Sequence, residues 1–144
     1  MNLVLAGCRD GSIQGFQLKE GCLGINKRPQ VLFRDAHKPN YAISSIKILE
    51  NGWNCITNST DDTIKLWDIR NPSHFIASQY FHSNFIPTTK MSLNKDESLI
   101  VTANHHFNKM QEIEQQTELV FYNTKNLEVN FIFNIFSIFF RNMI

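Results

Sequence analysis

Four polar side chains in the middle of the chain could together perform nucleophilic catalysis. His37 and Asp61 could act as a general base and its orienting carboxylate, and the hydroxyl of Thr57 or Ser59 could be the nucleophile. The competing interpretation is a structural hydrogen-bond chain, because hydroxyl, imidazole and carboxylate groups can also satisfy one another when buried. The repeated pattern around these residues favours the structural interpretation.

Metal and phosphate chemistry have weaker support. His82 and the pair His105–His106 are the only cluster of metal-binding type, but adjacent histidines point apart on a strand and no cysteine or carboxylate lies at ligand spacing. The glycines near the start fall in a hairpin pattern and do not precede a helix, as a phosphate-binding loop would require. The sequence predicts no metal and no cofactor.

The composition is that of one globular domain. The chain has 144 residues, of which 42% are hydrophobic and 19% charged, and its formal net charge is +1. Such a charge gives no field that would favour nucleic acid or an anionic membrane as the main partner. The three cysteines are widely spaced and no apolar signal peptide opens the chain, so we expect reduced thiols in a cytosolic or nuclear protein.

A hairpin pattern repeats along the chain. Residues 3–16 and 55–67 each contain an apolar run, a polar turn and an alternating run, which is typical of a β-hairpin. In the middle copy, the predicted strands are 31–33, 43–48, 53–57 and 64–68, and Arg70-Asn71-Pro72 breaks the pattern. Four short antiparallel strands between two breaks make one blade of a β-propeller.

A third, weaker copy follows. Its predicted strands are 91–93, 99–102 and 119–122, and the polar stretch 103–117 is interpreted as an insertion within the blade. Residues 108–116 are predicted to form a short helix in that insertion, with Met110 and Ile113 on one side.

The middle copy resembles a WD40 repeat. Residues 61–70, Asp-Asp-Thr-Ile-Lys-Leu-Trp-Asp-Ile-Arg, match the end of such a repeat, and His37 lies where the histidine near its start is found. From about residue 3 to 130 the chain resembles the WD repeat-containing protein 70 family, also called gastrulation-defective-like. It departs from that family at Phe16, where the family usually has tryptophan.

The resemblance implies an all-β fold. We expect a partial WD40 β-propeller over residues 1–130, with two to three four-stranded antiparallel blades at about 1–20, 31–70 and 75–123 and a loop or short-helix insertion in the last blade. Two to three blades cannot close a ring, since propellers typically have four to eight.

The resemblance also implies a structural role for four residues. In WD repeats a buried tetrad runs from tryptophan through a hydroxyl and histidine to aspartate, and it maps here onto Trp67, Thr57, His37 and Asp61. The first copy has Ala6 in place of the hydroxyl residue, so that blade depends more on apolar packing.

Two residues at the end of the middle copy are candidates for partner binding. Asp68 and Arg70 complete a sequence that resembles the WDxR box, by which substrate receptors dock on the damaged-DNA-binding adaptor subunit of cullin-4 RING ubiquitin ligases. An arginine suits an interface because its planar guanidinium group can donate two parallel hydrogen bonds to one partner group. The alternative is an ordinary surface arginine, paired with Asp68 or with nothing.

The segment 131–144 does not resemble the family. Its apolar run 131–140 is too short to span a membrane, which needs about twenty residues. The preferred hypothesis is that the annotated sequence leaves the true reading frame here, and the alternative is a genuine fourth strand or a membrane contact.

These observations predict a non-catalytic protein-binding scaffold. The resemblance implies a nuclear protein linked to the DNA double-strand-break response and to ubiquitin-ligase substrate recruitment, with protein partners and no direct contact with nucleic acid or membrane. The alternatives are a cytoplasmic location, a WD-repeat scaffold in RNA processing or trafficking and, as the other functional class, a propeller hydrolase, which would need an accessible acid, base or metal.

Overall fold

Three antiparallel sheets make up the part of the chain that the computed structural model describes, residues 3–18, 28–81, 89–106 and 116–135. The first sheet has the strand order β1-β2-β3, the second β4-β5-β6-β7 and the third β8-β9-β10-β11. The strands are β1 (Leu3–Gly7), β2 (Ile13–Gln17), β3 (Val31–Phe33), β4 (Ile43–Ile48), β5 (Asn54–Ser59), β6 (Thr63–Asp68), β7 (Phe75–Tyr80), β8 (Met91–Leu93), β9 (Leu99–His106), β10 (Gln116–Asn123) and β11 (Val129–Ile135). The predicted all-β architecture of partial propeller blades is confirmed.

The central strands of the second sheet, β5 and β6, are buried because each of their faces packs on one of the other two sheets. Cys55 and Trp67 are paired across β5 and β6 and face a core shared with the first sheet. Ile56 and Leu66 are the next pair and face a core shared with the third sheet. Successive side chains of a strand alternate between faces, so the continuous apolar run in β5 and β6 serves two cores at once.

The sheet boundaries differ from the predicted blade boundaries. Val31–Phe33 was expected to begin the middle blade, but it pairs with β2 and is the outer strand of the first sheet. The middle sheet instead takes its fourth strand from Phe75–Tyr80, which pairs with β6. Pro72 was taken as the end of the blade, yet it lies in the β6–β7 turn, where the Asn71 N–H donates to the Asp68 carbonyl at 2.9 Å. A proline in a turn does not interrupt the ladders on either side of it.

The beginning of the 131–144 segment is a strand. Residues 131–135 belong to β11, which pairs with β10, and the ring of Phe131 stacks on Phe121 with 4.3 Å between centroids. Residues 131–135 thus lie in the fourth strand of the third sheet, while 136–144 lie outside the described residues. Leu127 is buried in the β10–β11 turn, with a φ of 58°.

The predicted insertion of residues 103–117 is shorter than expected. β9 continues to His106 and β10 begins at Gln116, and these two residues pair with each other. The hydrogen bonds between paired strands come from main-chain groups. The polar side chains of residues 102–104 therefore do not end the hairpin. Most of the predicted helix, residues 107–115, lies outside the described residues. Among the residues described, none forms a helix that could cross a membrane.

Gly11 joins the first sheet to the loop that carries His37. Its φ is 89°, a Cβ there would lie 2.7 Å from the Lys38 carbonyl oxygen, and its own carbonyl accepts the His37 N–H at 3.1 Å. Gly11 is thus required both for its backbone conformation and for the close approach of this loop.

We expect Gly11→Ala to lower the free energy of unfolding by at least about 2 kcal/mol, because a strained backbone and a clash combine. Gly52→Ala is the matched control, since Gly52 also has a positive φ of 72° but has nothing within 4 Å of the added Cβ. It should cost only about 1–2 kcal/mol. Urea denaturation of both variants measures the difference, and equal costs would contradict the proposed clash.

Candidate functional site

A buried hydrogen-bond chain links the loop after β3 to the centre of the second sheet. Trp67 on β6 donates its indole N–H to the Thr57 hydroxyl on β5 at 2.9 Å. Thr57 Oγ1 lies 2.8 Å from His37 Nε2, and His37 Nδ1 lies 3.1 Å from Asp61 Oδ1 in the β5–β6 turn. All four residues are buried. The structure thus brings together the four residues of the predicted tetrad.

The proton positions follow from the donors and acceptors available. The Thr57 oxygen accepts from Trp67, so its own hydrogen is free to donate to His37 Nε2. The Nδ1–H of His37 then donates to Asp61. This assignment gives a neutral imidazole with its hydrogen on Nδ1, which is the tautomer that satisfies every member of the chain.

Thr63 is a fifth member that the sequence analysis missed. Its hydroxyl donates to Asp61 Oδ1 at 2.6 Å and its N–H to the same oxygen at 3.0 Å. The first sheet repeats this arrangement, since Ser12 donates from Oγ and from N to Asp10 Oδ1 at 2.7 and 3.0 Å. The signal was present in the sequence as Asp-x-Ser/Thr in both turns, a spacing at which an aspartate accepts from the main chain two residues on.

Lys65 on β6 binds the loop that carries His37. Its Nζ donates to the Ala36 carbonyl at 2.7 Å and lies over the rings of Trp67 and Phe75, 5.7 and 5.2 Å from their centroids. The contact ties the ammonium group to the loop next to the tetrad.

The charges within the tetrad are fixed by burial and hydrogen bonding. Burial opposes ionisation of Asp61, but the hydrogen bonds from His37, Thr63 and the Lys38 main chain outweigh it and hold the pKa of Asp61 well below its usual range. Burial lowers the pKa of His37, and nearby Lys65 acts in the same direction, although Asp61 opposes it. At neutral pH the pair is therefore a neutral imidazole beside a carboxylate.

This arrangement leaves no room for a substrate at the expected nucleophiles. Thr57 and Ser59 are both 0% exposed, and the Ser59 hydroxyl accepts the Asp61 N–H at 3.2 Å. An open cleft of about 360 Å³ between β1 and β4 is lined by Leu5, Gly7, Ile43–Ile46 and Lys90, and none of the tetrad residues lines it. The geometry of the tetrad fits a network that stiffens the blade.

The first and third sheets contain less of this network. Ala6 takes the place of Thr57 in the first sheet, and the Asp10 carboxylate accepts from Ser12 and, among the described residues, from no histidine. Thr102 of the third sheet is buried and lies 3.4 Å from Asn58 Nδ2, so its hydroxyl accepts a hydrogen bond from the second sheet. The middle sheet therefore contains the complete tetrad.

Asp68 and Arg70 lie at the opposite end of the second sheet and bind each other. Arg70 donates from Nε to Asp68 Oδ1 at 2.9 Å and from Nη2 to Oδ2 at 2.6 Å, and its N–H also donates to Oδ1 at 2.9 Å. These hydrogen bonds lower the pKa of Asp68 to about 2. The guanidinium carbon lies 5.0 Å from the centre of the Trp53 ring, a contact that the sequence analysis did not foresee.

No group of three or more His, Cys, Asp or Glu side chains in the described part of the chain is arranged to bind a metal. His82 lies outside the described residues, and so do the side chains of His105 and His106.

Comparison with known proteins gives a consistent set of relatives. Gastrulation defective protein 1 homolog from Drosophila melanogaster is 33% identical over 129 residues, 88% of this chain and 18% of that protein. WD repeat-containing protein 70 from Xenopus laevis is 30% identical over 99 residues, 69% of this chain and 15% of that protein. The human DDB1- and CUL4-associated factor 4-like protein 2 is 29% identical over 98 residues, 68% of this chain and 23% of that protein.

The chain matches no established protein-family profile. It spans between 15% and 23% of the length of these three relatives. The antiparallel sheets and the tetrad of the second sheet agree with the WD repeats that the name of one of these relatives mentions. The chain accordingly resembles WD40-repeat proteins, and among them the WD repeat-containing protein 70 family.

Proposed function

We propose that this chain is part of a non-catalytic scaffold that binds other proteins. The observation that carries the proposal is the contrast between its two polar sites. The tetrad is buried and its hydrogen-bonding groups are satisfied, whereas the Asp68–Arg70 pair is exposed at the end of the sheet. A rigid blade that presents fixed side chains at its turns is suited to protein recognition.

Arg70 is the proposed contact with the adaptor subunit of cullin-4 RING ubiquitin ligases. Its place after Trp67-Asp68 matches the WDxR pattern, and the name of one human relative describes association with DDB1 and CUL4. Its guanidinium group is held in one orientation by Asp68 while 59% of the side chain remains exposed. An arginine that is already ordered loses less conformational entropy when a partner binds.

A nuclear location and a link to the DNA double-strand-break response complete the proposal. Both are supported by the resemblance to the WD repeat-containing protein 70 family. A WD-repeat scaffold in RNA processing or trafficking would lack the contact with the adaptor, so binding of the adaptor distinguishes the two functions.

Arg70→Ala should weaken binding of the purified adaptor subunit by about tenfold or more, as expected for a central arginine of an interface. Arg34→Ala is the matched control, since Arg34 is also exposed but lies in the loop after β3. Biolayer interferometry with both variants measures the change, and circular dichroism shows that each is folded. Wild-type affinity of the Arg70→Ala variant would refute docking through this residue.

A further inference from the structure

We infer that Trp53 and Arg70 form one docking platform, and that the partner meets it with neutral hydrogen-bond acceptors and apolar groups, not with carboxylates. This inference rests on the proposed function and extends it, because it adds a second binding residue from another hairpin. It also specifies the chemistry of the partner surface.

The two residues belong to turns that are tied together. The Asn51 side-chain oxygen accepts the N–H groups of Trp53 and Asn54, each at 2.9 Å, and so closes the β4–β5 turn. The Trp53 carbonyl accepts the Ile69 N–H at 2.8 Å, which joins this turn to the one that carries Arg70. Main-chain bonds therefore fix the spacing of the two turns that carry the indole and the guanidinium groups.

The exposed pair has the features of an interface hot spot. Arg70 stacks on Trp53 with 5.0 Å from Cζ to the ring centroid, and 43% of Trp53 is exposed. Tryptophan and arginine are the residue types most enriched among residues that dominate binding energy. An indole on an ordered turn offers a large apolar surface that a partner could bury.

The charge of the platform determines which partner it fits. Asp68 takes two N–H groups of the guanidinium, so the positive charge is already neutralised within the chain. A partner carboxylate would have to displace Asp68 or lie beside its negative charge. The other guanidinium N–H groups have no acceptor among the described residues, and main-chain carbonyl oxygens of a partner could accept from them.

Stacking also separates arginine from lysine at this site. A guanidinium group can stack on the Trp53 indole and donate two hydrogen bonds to Asp68 at the same time. The ammonium group of a lysine can make only one of these two contacts at a time. We therefore expect Arg70→Lys to behave like Arg70→Ala although it preserves the charge.

The test measures the dissociation constant of the purified adaptor subunit for the full chain and its variants. Trp53→Ala should bind about tenfold or more weakly, while Trp53→Phe should retain most of the affinity because it keeps an aromatic face. Tyr80→Ala is the matched control, since Tyr80 is exposed at the far end of β7. For the wild type, raising NaCl from about 0.05 to about 0.5 M should change the affinity less than about threefold, because ion pairing contributes little.

The outcomes separate this inference from the function on which it rests. If Arg70→Ala is impaired but Trp53→Ala binds like the wild type, docking stands and the shared platform is wrong. A steep loss of affinity with salt, or full binding by Arg70→Lys, would show an ionic contact and overturn the inference in the same way. Failure of the wild type to bind the adaptor would overturn both.

Discussion

Replacing Trp67 with alanine should lower the free energy of unfolding by about 3–5 kcal/mol, the range for deleting a large buried aromatic side chain. The indole is buried between two rings, with 5.3 Å to the centroid of Phe33 and 6.0 Å to that of Phe75. Its loss would open a cavity in the core shared by the first and second sheets. It would also remove the hydrogen bond that orients the Thr57 hydroxyl.

Two further variants separate packing from hydrogen bonding. Trp67→Phe keeps an aromatic ring but loses the indole N–H. It should lower the free energy of unfolding less than Trp67→Ala does, because the retained aromatic surface still packs in the core. Trp53→Ala removes the same residue type from an exposed turn and should change stability far less. Urea denaturation monitored by circular dichroism compares all three. Similar losses for Trp67→Ala and Trp53→Ala would contradict a core role for Trp67.

The hairpins and the tetrad were predictable because local sequence specifies them. Asn51-Gly52 between two apolar runs is a typical turn sequence, and Gly52 has the positive φ that such turns require. The four tetrad residues could be found because they occur in order at the separations of a WD40 repeat. Each of these features depends on neighbours within one hairpin or on a familiar spacing.

The assignment of strands to sheets could not be predicted in the same way. Val31–Phe33 has only three residues, and nothing in its sequence decides whether it pairs with β2 or with β4. In the structure Gly15 pairs with Val31, and a Cβ on Gly15 would lie 2.9 Å from the Val31 Cβ. The absence of a side chain at Gly15 thus permits a close approach that only the folded chain reveals.

The platform of Trp53 and Arg70 was missed for a related reason. The two residues lie on different hairpins, and the main-chain bond between Ile69 and Trp53 brings them together. Sequence spacing identified Asp68 and Arg70 as candidates for partner binding, but it could not show that they neutralise each other. Tertiary contacts therefore indicate a partner surface that is neutral at this point.

The tetrad runs along β5 and β6 from the turn of Asp61 to Trp67, and the platform begins next to Trp67, at the end of these strands far from Asp61. Asp61 is in the turn between these strands, whereas Trp53 precedes β5 and Asp68 ends β6. Because Asn54 pairs with Asp68 and Cys55 with Trp67, the register that the tetrad helps to hold also sets the position of the exposed pair. Variants of the tetrad should thus lower the stability of the blade, and they should weaken partner binding only as a consequence of that loss of stability.

Asp61→Ala provides the most demanding test of the tetrad and should cost at least about 3 kcal/mol of stability, because each buried donor left without an acceptor costs about 1–3 kcal/mol. The Asp61 carboxylate accepts from His37 Nδ1, from the Thr63 hydroxyl and from the main-chain N–H groups of Lys38 and Thr63. An alanine satisfies none of these donors, and the site is closed to bulk water.

Asp10→Ala is the matched control for this change. Asp10 occupies the same turn position in the first sheet, but it is exposed and, among the described residues, its carboxylate accepts only from Ser12, so the loss of this side chain should have a much smaller effect. The loss of stability caused by Asp61→Asn should lie between those of Asp61→Ala and Asp10→Ala. The amide keeps one acceptor oxygen, but its NH₂ group is a donor and faces groups that already donate. If Asp61→Ala and Asp10→Ala unfold at the same urea concentration, the Asp61 network does not stabilise the blade. The burial of His37 would then need an explanation other than a completed hydrogen-bond chain.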